Sequence, residues 1–259
     1  LKKSATGRVL EEMTWPEVAE RFQAGTVVVI PVGAAAKEHG HHLPLNTEYL
    51  IVQELTGRLS GSLPIITAPI VGFTYSPVFR KYPGSQHLSS EGFMRLMKDL
   101  LINLVDQGAR RIAIVNCGDS TEGPLRLVIN QVFDETSVRV GLSNLRLLGR
   151  RLDGILEQDQ GGHADERVTS MMLAIAPESV RMERTRPDYG RREHVPTGAF
   201  TQAVRFSGDE FAEDIDYSAT GIIGDPTLAT AKKGKRILDE ITDQLTEGLR
   251  VLFPDIDEV

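Results

Sequence analysis

Pro31-Val32-Gly33-Ala34-Ala35-Ala36-Lys37-Glu38-His39-Gly40-His41-His42-Leu43-Pro44-Leu45-Asn46-Thr47-Glu48 follows directly on the β-branched run Thr26 to Ile30. Its last eleven residues hold three of the chain's six histidines and two carboxylates. A parallel sheet gathers functional groups from separate loops at the carboxyl ends of its strands, and imidazole with carboxylate suits zinc, manganese or iron. The stretch therefore reads as a strand, a site loop and the start of a helix.

Upstream, Thr14 can cap a helix over Trp15 to Ala24, with Pro16 tolerated in the first turn and Gly25 ending it. Downstream, the spacing predicts a helix from about Glu48 to Leu59 and a buried strand over Pro64 to Ile70. Ser89 or Ser90 caps the clearest helix, in which Phe93, Leu96, Met97, Leu100, Leu101, Leu104 and Val105 recur at three- and four-residue intervals until Gly108. Arg111 to Asn116 is the next strand, Leu125, Val128, Ile129 and Val132 mark the next helix, and Val138 to Leu142 is a further strand. Strand, loop and helix repeated three times imply a parallel sheet with helices on both faces.

The second half is less regular. Asp165 to Ala176 reads as a helix with Val168, Met171, Met172 and Ile175 on one face, and Pro226 to Phe253 as a long C-terminal helix. Between them residues 183–224 form a polar excursion, of the length expected for a lid or an oligomer contact. With no repeat and no linker, one domain over residues 1–259 is the economical organisation.

Composition narrows the function. A net charge of −7 without a basic face argues against nucleic acid as partner; the one Lys/Arg block, Lys232 to Arg236, reads as solvated helix surface. No apolar run approaches the roughly 20 residues of a membrane helix, the N-terminus lacks a signal-peptide core, and the single cysteine, Cys117, fits a reducing compartment. These features lead to the expectation of a soluble cytoplasmic protein.

Five blocks in order along the chain resemble the creatininase (creatinine amidohydrolase) family. They are Pro31 to Glu48, Tyr82-Pro83-Gly84-Ser85, Gly108-Ala109-Arg110-Arg111 through Asn116, His163-Ala164-Asp165-Glu166-Arg167-Val168-Thr169-Ser170, and Thr220-Gly221-Ile222-Ile223-Gly224-Asp225-Pro226. The resemblance implies a three-layer α/β/α sandwich with a mostly parallel central sheet, a homo-oligomer, and hydrolysis of a non-peptide C–N bond in a small-molecule substrate such as a cyclic amide. It also implies two divalent ions on five side chains, and this chain departs from that set. Lys37, Gly118 and Ser120 stand at three ligand positions, while His39 and Glu48 match the other two.

An extra residue before His39 allows Glu38 to turn inward, so Glu38, His39 and Glu48 are the expected ligands of a divalent ion, zinc or manganese or else iron, one ion in preference to two. In the resemblance His163 carries the proton to the leaving nitrogen, a task suited to a group titrating near neutrality. Glu166 and Asp119 join it as candidate catalytic groups. His41, His87, Cys117, Ser120 and Gly162 are candidate substrate contacts. Plainer roles compete for several of these: Glu166 as the charged start of a helix, Asp119 or Ser120 as a helix cap, and Cys117 as a small buried residue at a strand end. The alternative function is a metal-free member that reuses the pocket for acid-base chemistry, or a noncatalytic binding subunit.

Overall fold

The computed structural model describes residues 7–149, 152, 154–158, 160–190 and 218–258. Among these, five parallel strands form one sheet in the order β1-β3-β2-β4-β5: β1 Arg8–Val9, β2 Val28–Val32, β3 Ile66–Thr67, β4 Ile112–Asn116 and β5 Val140–Asn144. Alternate residues of the central strands feed two separate cores. Val27, Val29, Ala113 and Val115 face one core, and Val28, Ile30, Val32, Ile112 and Ile114 face the other. This is why the strands read as unbroken apolar runs: a parallel sheet is covered on both faces.

The first core is closed by helices α2 (Thr47–Ser62), α5 (Glu166–Ile175) and α6 (Ala231–Leu252), through residues such as Leu55, Met172, Leu238 and Ile241. The second is closed by α3 (Ser90–Asp106) and α4 (Glu122–Thr136), with Phe22 of α1 (Trp15–Gln23) at its edge. The result is the expected three-layer α/β/α arrangement with a parallel sheet. None of the described helices is long and apolar enough to cross a membrane.

Local chemistry explains most boundaries. Ser89, rather than Ser90, caps α3, accepting from the Gly92 amide at 3.0 Å. Thr14 and Glu17 form a reciprocal capping box on α1. The C-terminal helix begins five residues later than the sequence suggests, because Asp225 holds Pro226–Leu228 in a separate turn and Thr230 caps α6. The strand expected over Pro64 to Ile70 pairs only at Ile66 and Thr67. The edge strand β1, two residues long, carried no sequence signal. Of the polar excursion, residues 191–217 lie outside those described, so the lid or oligomer contact expected there falls mostly outside them. Its ends meet where Asp188 and Gly224 pair as an antiparallel bridge.

Pro31 sits inside the central strand β2 without breaking it. Its carbonyl accepts from Val71 on the β3 side, and a strand residue directs its N–H and C=O to the same side. There β3 has already ended at Thr67, so no ladder bond is lost to the missing N–H.

Gly33 then lets the start of α2 come close to the strand end. A Cβ at this position would lie 2.6 Å from the Glu48 carbonyl oxygen and 2.9 Å from Val52 Cγ1. Both obstacles belong to the helix that carries Glu48. Gly33→Ala is therefore expected to lower the stability of the fold by about 1–3 kcal/mol, as overpacking of a close contact does. Urea denaturation of the variant beside the parent checks this, and an unchanged midpoint would contradict the tight contact.

Candidate active site

Three segments converge beyond the carboxyl ends of β2 and β4: residues 33–48, residues 116–121, and the approach to α5 at His163. At their centre Lys37 and Glu48 form an ion pair with both side chains nearly withdrawn from solvent. The other Glu48 oxygen accepts from the Ala34 amide at 3.3 Å. The Lys37 ammonium also lies 4.8 Å from the centre of the Phe79 ring, a favourable cation–π position. Burial pushes the Glu48 carboxyl up, but Lys37 and His39 outweigh it and hold its pKa at about 2. Glu48 is ionised throughout the physiological range.

His39 places Nδ1 3.0 Å from the Lys37 carbonyl oxygen. A carbonyl can only accept, so Nδ1 carries the hydrogen, and Nε2, 3.8 Å from Glu48 Oε1, keeps its lone pair when the ring is neutral. Burial, reinforced by the Lys37 charge, lowers the His39 pKa to about 3. The same reasoning fixes His163. Its Nε2 is 2.9 Å from the Glu38 carbonyl oxygen and 3.2 Å from Glu38 Oε2, and so donates to both. Its ring stacks on Phe79 with centroids 4.2 Å apart and lies 4.6 Å from His39, and burial together with Lys37 lowers its pKa to about 3.

Glu38 accepts on both carboxyl oxygens, from His163 Nε2 and from the Gly40 amide. Burial raises its pKa to about 7, against the lowering effect of the Gly40 hydrogen bond. It is the one group of this cluster poised to exchange a proton near neutrality. Two backbone features hold it there. Gly40 adopts φ 72°, which curls the loop back onto the Glu38 carboxylate, and Gly221, at φ 74°, leaves that carboxylate room: a Cβ there would lie 1.7 Å from Glu38 Oε1. On the other side, Ala164 at φ 48° turns the chain between His163, bridged to Ile223, and Asp165, which caps α5.

The candidates from the sequence divide sharply. Glu38, His39, Glu48 and His163 come together. Glu166 does not join them: its fully buried carboxylate accepts from the Glu157 and Gln158 amides, each at 2.8 Å, and from Lys233, tying α5 to α6. That corrects its catalytic placement. Asp119 is exposed, with its carboxylate 3.9 Å from Arg146, and burial first, then the Glu48 charge, raise its pKa against the pull of Arg146 and Lys37. His41 points to solvent, whereas His42 is buried and hydrogen-bonded to Thr169 at 2.8 Å.

His87 accepts from the Ser76 amide at 3.0 Å and pins the loop before α3. Gly162 donates to Asp165 at 3.1 Å, within the cap of α5. Gly118 does face the site, its Cβ direction ending 3.8 Å from Glu48 Oε2, but it brings no donor atom. Ser120 is half-buried in the same turn. Burial, then the Glu48 charge, pushes the Cys117 thiol well up, which removes thiolate chemistry near neutral pH. Phe79 carries no signal in the sequence, Gly221 stands out only as part of the Thr220 to Pro226 block, and Lys37 only as a residue at a ligand position. The Tyr82-Pro83-Gly84-Ser85 block and the Thr220 to Pro226 turn were the signals available for the two loops, since Ser85 Oγ accepts from the Glu38 amide at 2.9 Å.

These positions do not fit the expected metal set. Glu38 is bound to His163, Glu48 to Lys37, and among the described residues no group of three His, Cys, Asp or Glu side chains is arranged to hold an ion.

Comparison with known proteins places the arrangement. The family model described as creatinine amidohydrolase matches residues 11–249. A mycofactocin precursor peptide peptidase of Mycobacterium tuberculosis is 30% identical over 248 residues, covering 89% of this chain and 87% of the relative. A creatinine amidohydrolase of Pseudomonas putida is 24% identical over 272 residues, covering 94% and 96%. Among solved structures, a mutant creatininase of Zn-Zn type superposes with a TM-score of 0.81 at 22% identity, covering 95% of this chain and 98% of that one. The family-model match over residues 11–249 and the nearly full-length match to a 30% identical relative show that the chain belongs to the creatininase family.

Proposed function

We propose that this protein is a hydrolase of an amide C–N bond in a small molecule. Hydrolysis is what the names of the two relatives share, one a peptide peptidase and the other a creatinine amidohydrolase. The observation that carries the reading is the Glu38 carboxylate held by the His163 and Gly40 donors within the field of the Lys37 charge.

Glu38 takes a proton from water as the water oxygen adds to the carbonyl carbon. The fixed positive charge of Lys37 favours the oxyanion that develops, in a site whose burial strengthens the interaction. Collapse of the tetrahedral adduct breaks the C–N bond, and the proton held by Glu38 passes to the leaving nitrogen. A carboxyl group with its pKa near the working pH serves both steps. The proton-carrying role that the resemblance gave to His163 thus falls on Glu38. His163, neutral and donating through Nε2, orients it.

Glu38→Gln is expected to reduce kcat by about 10²–10⁴-fold, the range general acid-base groups contribute, with little change in KM. The assay is amine release from creatinine and from a panel of short peptide amides. Equal turnover by parent and variant removes Glu38 from the chemistry, and no hydrolysis of any panel member by the folded parent overturns the hydrolase reading. His163→Asn, which loses the orienting donor, is expected to shift the acidic limb of the pH profile as well as lower kcat.

The same assignment has a thermodynamic signature. A carboxyl whose pKa is raised by folding contributes stability that is fully present below its unfolded value and lost as pH rises through about 7. The buried histidines act in the opposite sense. His39, His163 and His42, held at about 3, 3 and 4, add stability above pH 6.5 that is lost on acidification. Only the Glu38 contribution disappears in Glu38→Gln. Relative to the parent, the variant is therefore expected to gain stability between pH 5 and pH 8, read from urea midpoints. No relative change over that interval would show that Glu38 ionises at its ordinary pH.

A further inference from the structure

We propose that Lys37 is the resident cation of this site: its ammonium takes the place of a divalent ion beside Glu48 and His39, so the parent protein binds no zinc or manganese there. The proposal goes beyond the hydrolase reading and holds whichever reaction the site performs.

Three observations converge on it. First, the carboxylate that matches a family ligand is already neutralised, one oxygen by Lys37 and the other engaged by the Ala34 amide. Second, His39 is in the tautomer of a metal-ligating imidazole. Its Nδ1–H is fixed by the Lys37 carbonyl and its Nε2 lone pair is turned towards Glu48, 3.8 Å from Oε1. That is the side on which the ammonium lies. Third, among the described residues the positions facing the pair at Gly118 and Phe79 bring no metal-type side chain: Gly118 ends 3.8 Å from Glu48 Oε2, and Phe79 presents an aromatic face to the ammonium. A side chain that brings its own positive charge on a tether needs no metal supply, and it repels any second cation that approaches the same carboxylate. The two carboxylates, Glu38 and Glu48, have different partners and so do not converge on one ion.

The test is cobalt titration followed by visible absorption, with elemental analysis of zinc after dialysis. The parent chain is expected to show no saturable tetrahedral cobalt band and no retained zinc. Lys37→Glu, which removes the ammonium and adds a third ligand to His39 and Glu48, is expected to gain a saturable band at about one cobalt per chain, since three protein ligands and a water complete such a site. That band should be lost again when His39→Ala is added. Stoichiometric cobalt in the parent, abolished by Glu48→Ala or His39→Ala, would overturn the proposal, as would a folded Lys37→Glu that takes up none.

A thermal-melting cycle covers the case in which Lys37→Glu does not fold. Lys37→Met and Glu48→Gln should each lower Tm, and the double variant should recover most of the combined loss. Additive losses would show that the two side chains are not each other's partners. Because metal uptake and Tm are read without substrate, failure of the hydrolase assay leaves this outcome separate.

Discussion

An ammonium and a carboxylate enter a protein interior only at a desolvation cost, recovered when they face each other and their other hydrogen-bonding positions are filled. Lys37 and Glu48 meet that condition at the carboxyl edge of the sheet, with the Ala34 amide on the second carboxylate oxygen and the Phe79 ring under the ammonium. Much of the surrounding chemistry follows from this pair. Burial first, and the Lys37 charge after it, oppose protonation of both His39 and His163, so each stays neutral and donates from one defined nitrogen to a backbone carbonyl. With His163 donating, Glu38 has a fixed partner and remains the group that titrates near neutrality.

The frame around the pair is backbone. Glu48 stands in the first turn of α2, whose start lies against Gly33 at the end of the central strand. The consecutive residues Lys37, Glu38 and His39 take separate partners because the loop is anchored at Lys37, Glu38 and Gly40: the Lys37 amide to Leu45, the Glu38 amide to Ser85, and the Gly40 amide to the Glu38 carboxylate itself. His163 arrives from far along the chain through its bridge to Ile223. Members of a family that share this scaffold can thus differ in the charge placed at one loop position while the strands and helices stay the same.

The layered α/β architecture was legible because two-faced burial leaves continuous apolar strands, and one-faced burial leaves the three- and four-residue stripes of α3 and α6. The histidine loop was legible as a site because its residue types are dense and follow a strand end. Glu166 and Asp119 share one property: neighbours in sequence gave no sign of the partners they take. Lys233, which holds Glu166, is 67 positions away, and Arg146, which faces Asp119, is 27 away on another loop.

By itself the sequence determined the order of strands and helices, the carboxyl end of β2 as the place of chemistry, and membership in a family whose ligand pattern this chain keeps only in part. Periodicity and residue type are local properties, and these conclusions need nothing else. The tertiary structure decided which charges meet. Whether Lys37 turns in to Glu48 or out to solvent, and whether Glu38 joins Glu48 or His163, depends on side-chain directions set by Phe79, Gly221 and Ile223, residues that reach the loop only after the chain has folded. Electrostatic interactions fall off over a few ångströms of space rather than along the chain, so the identity of the site's cation was a question for the fold.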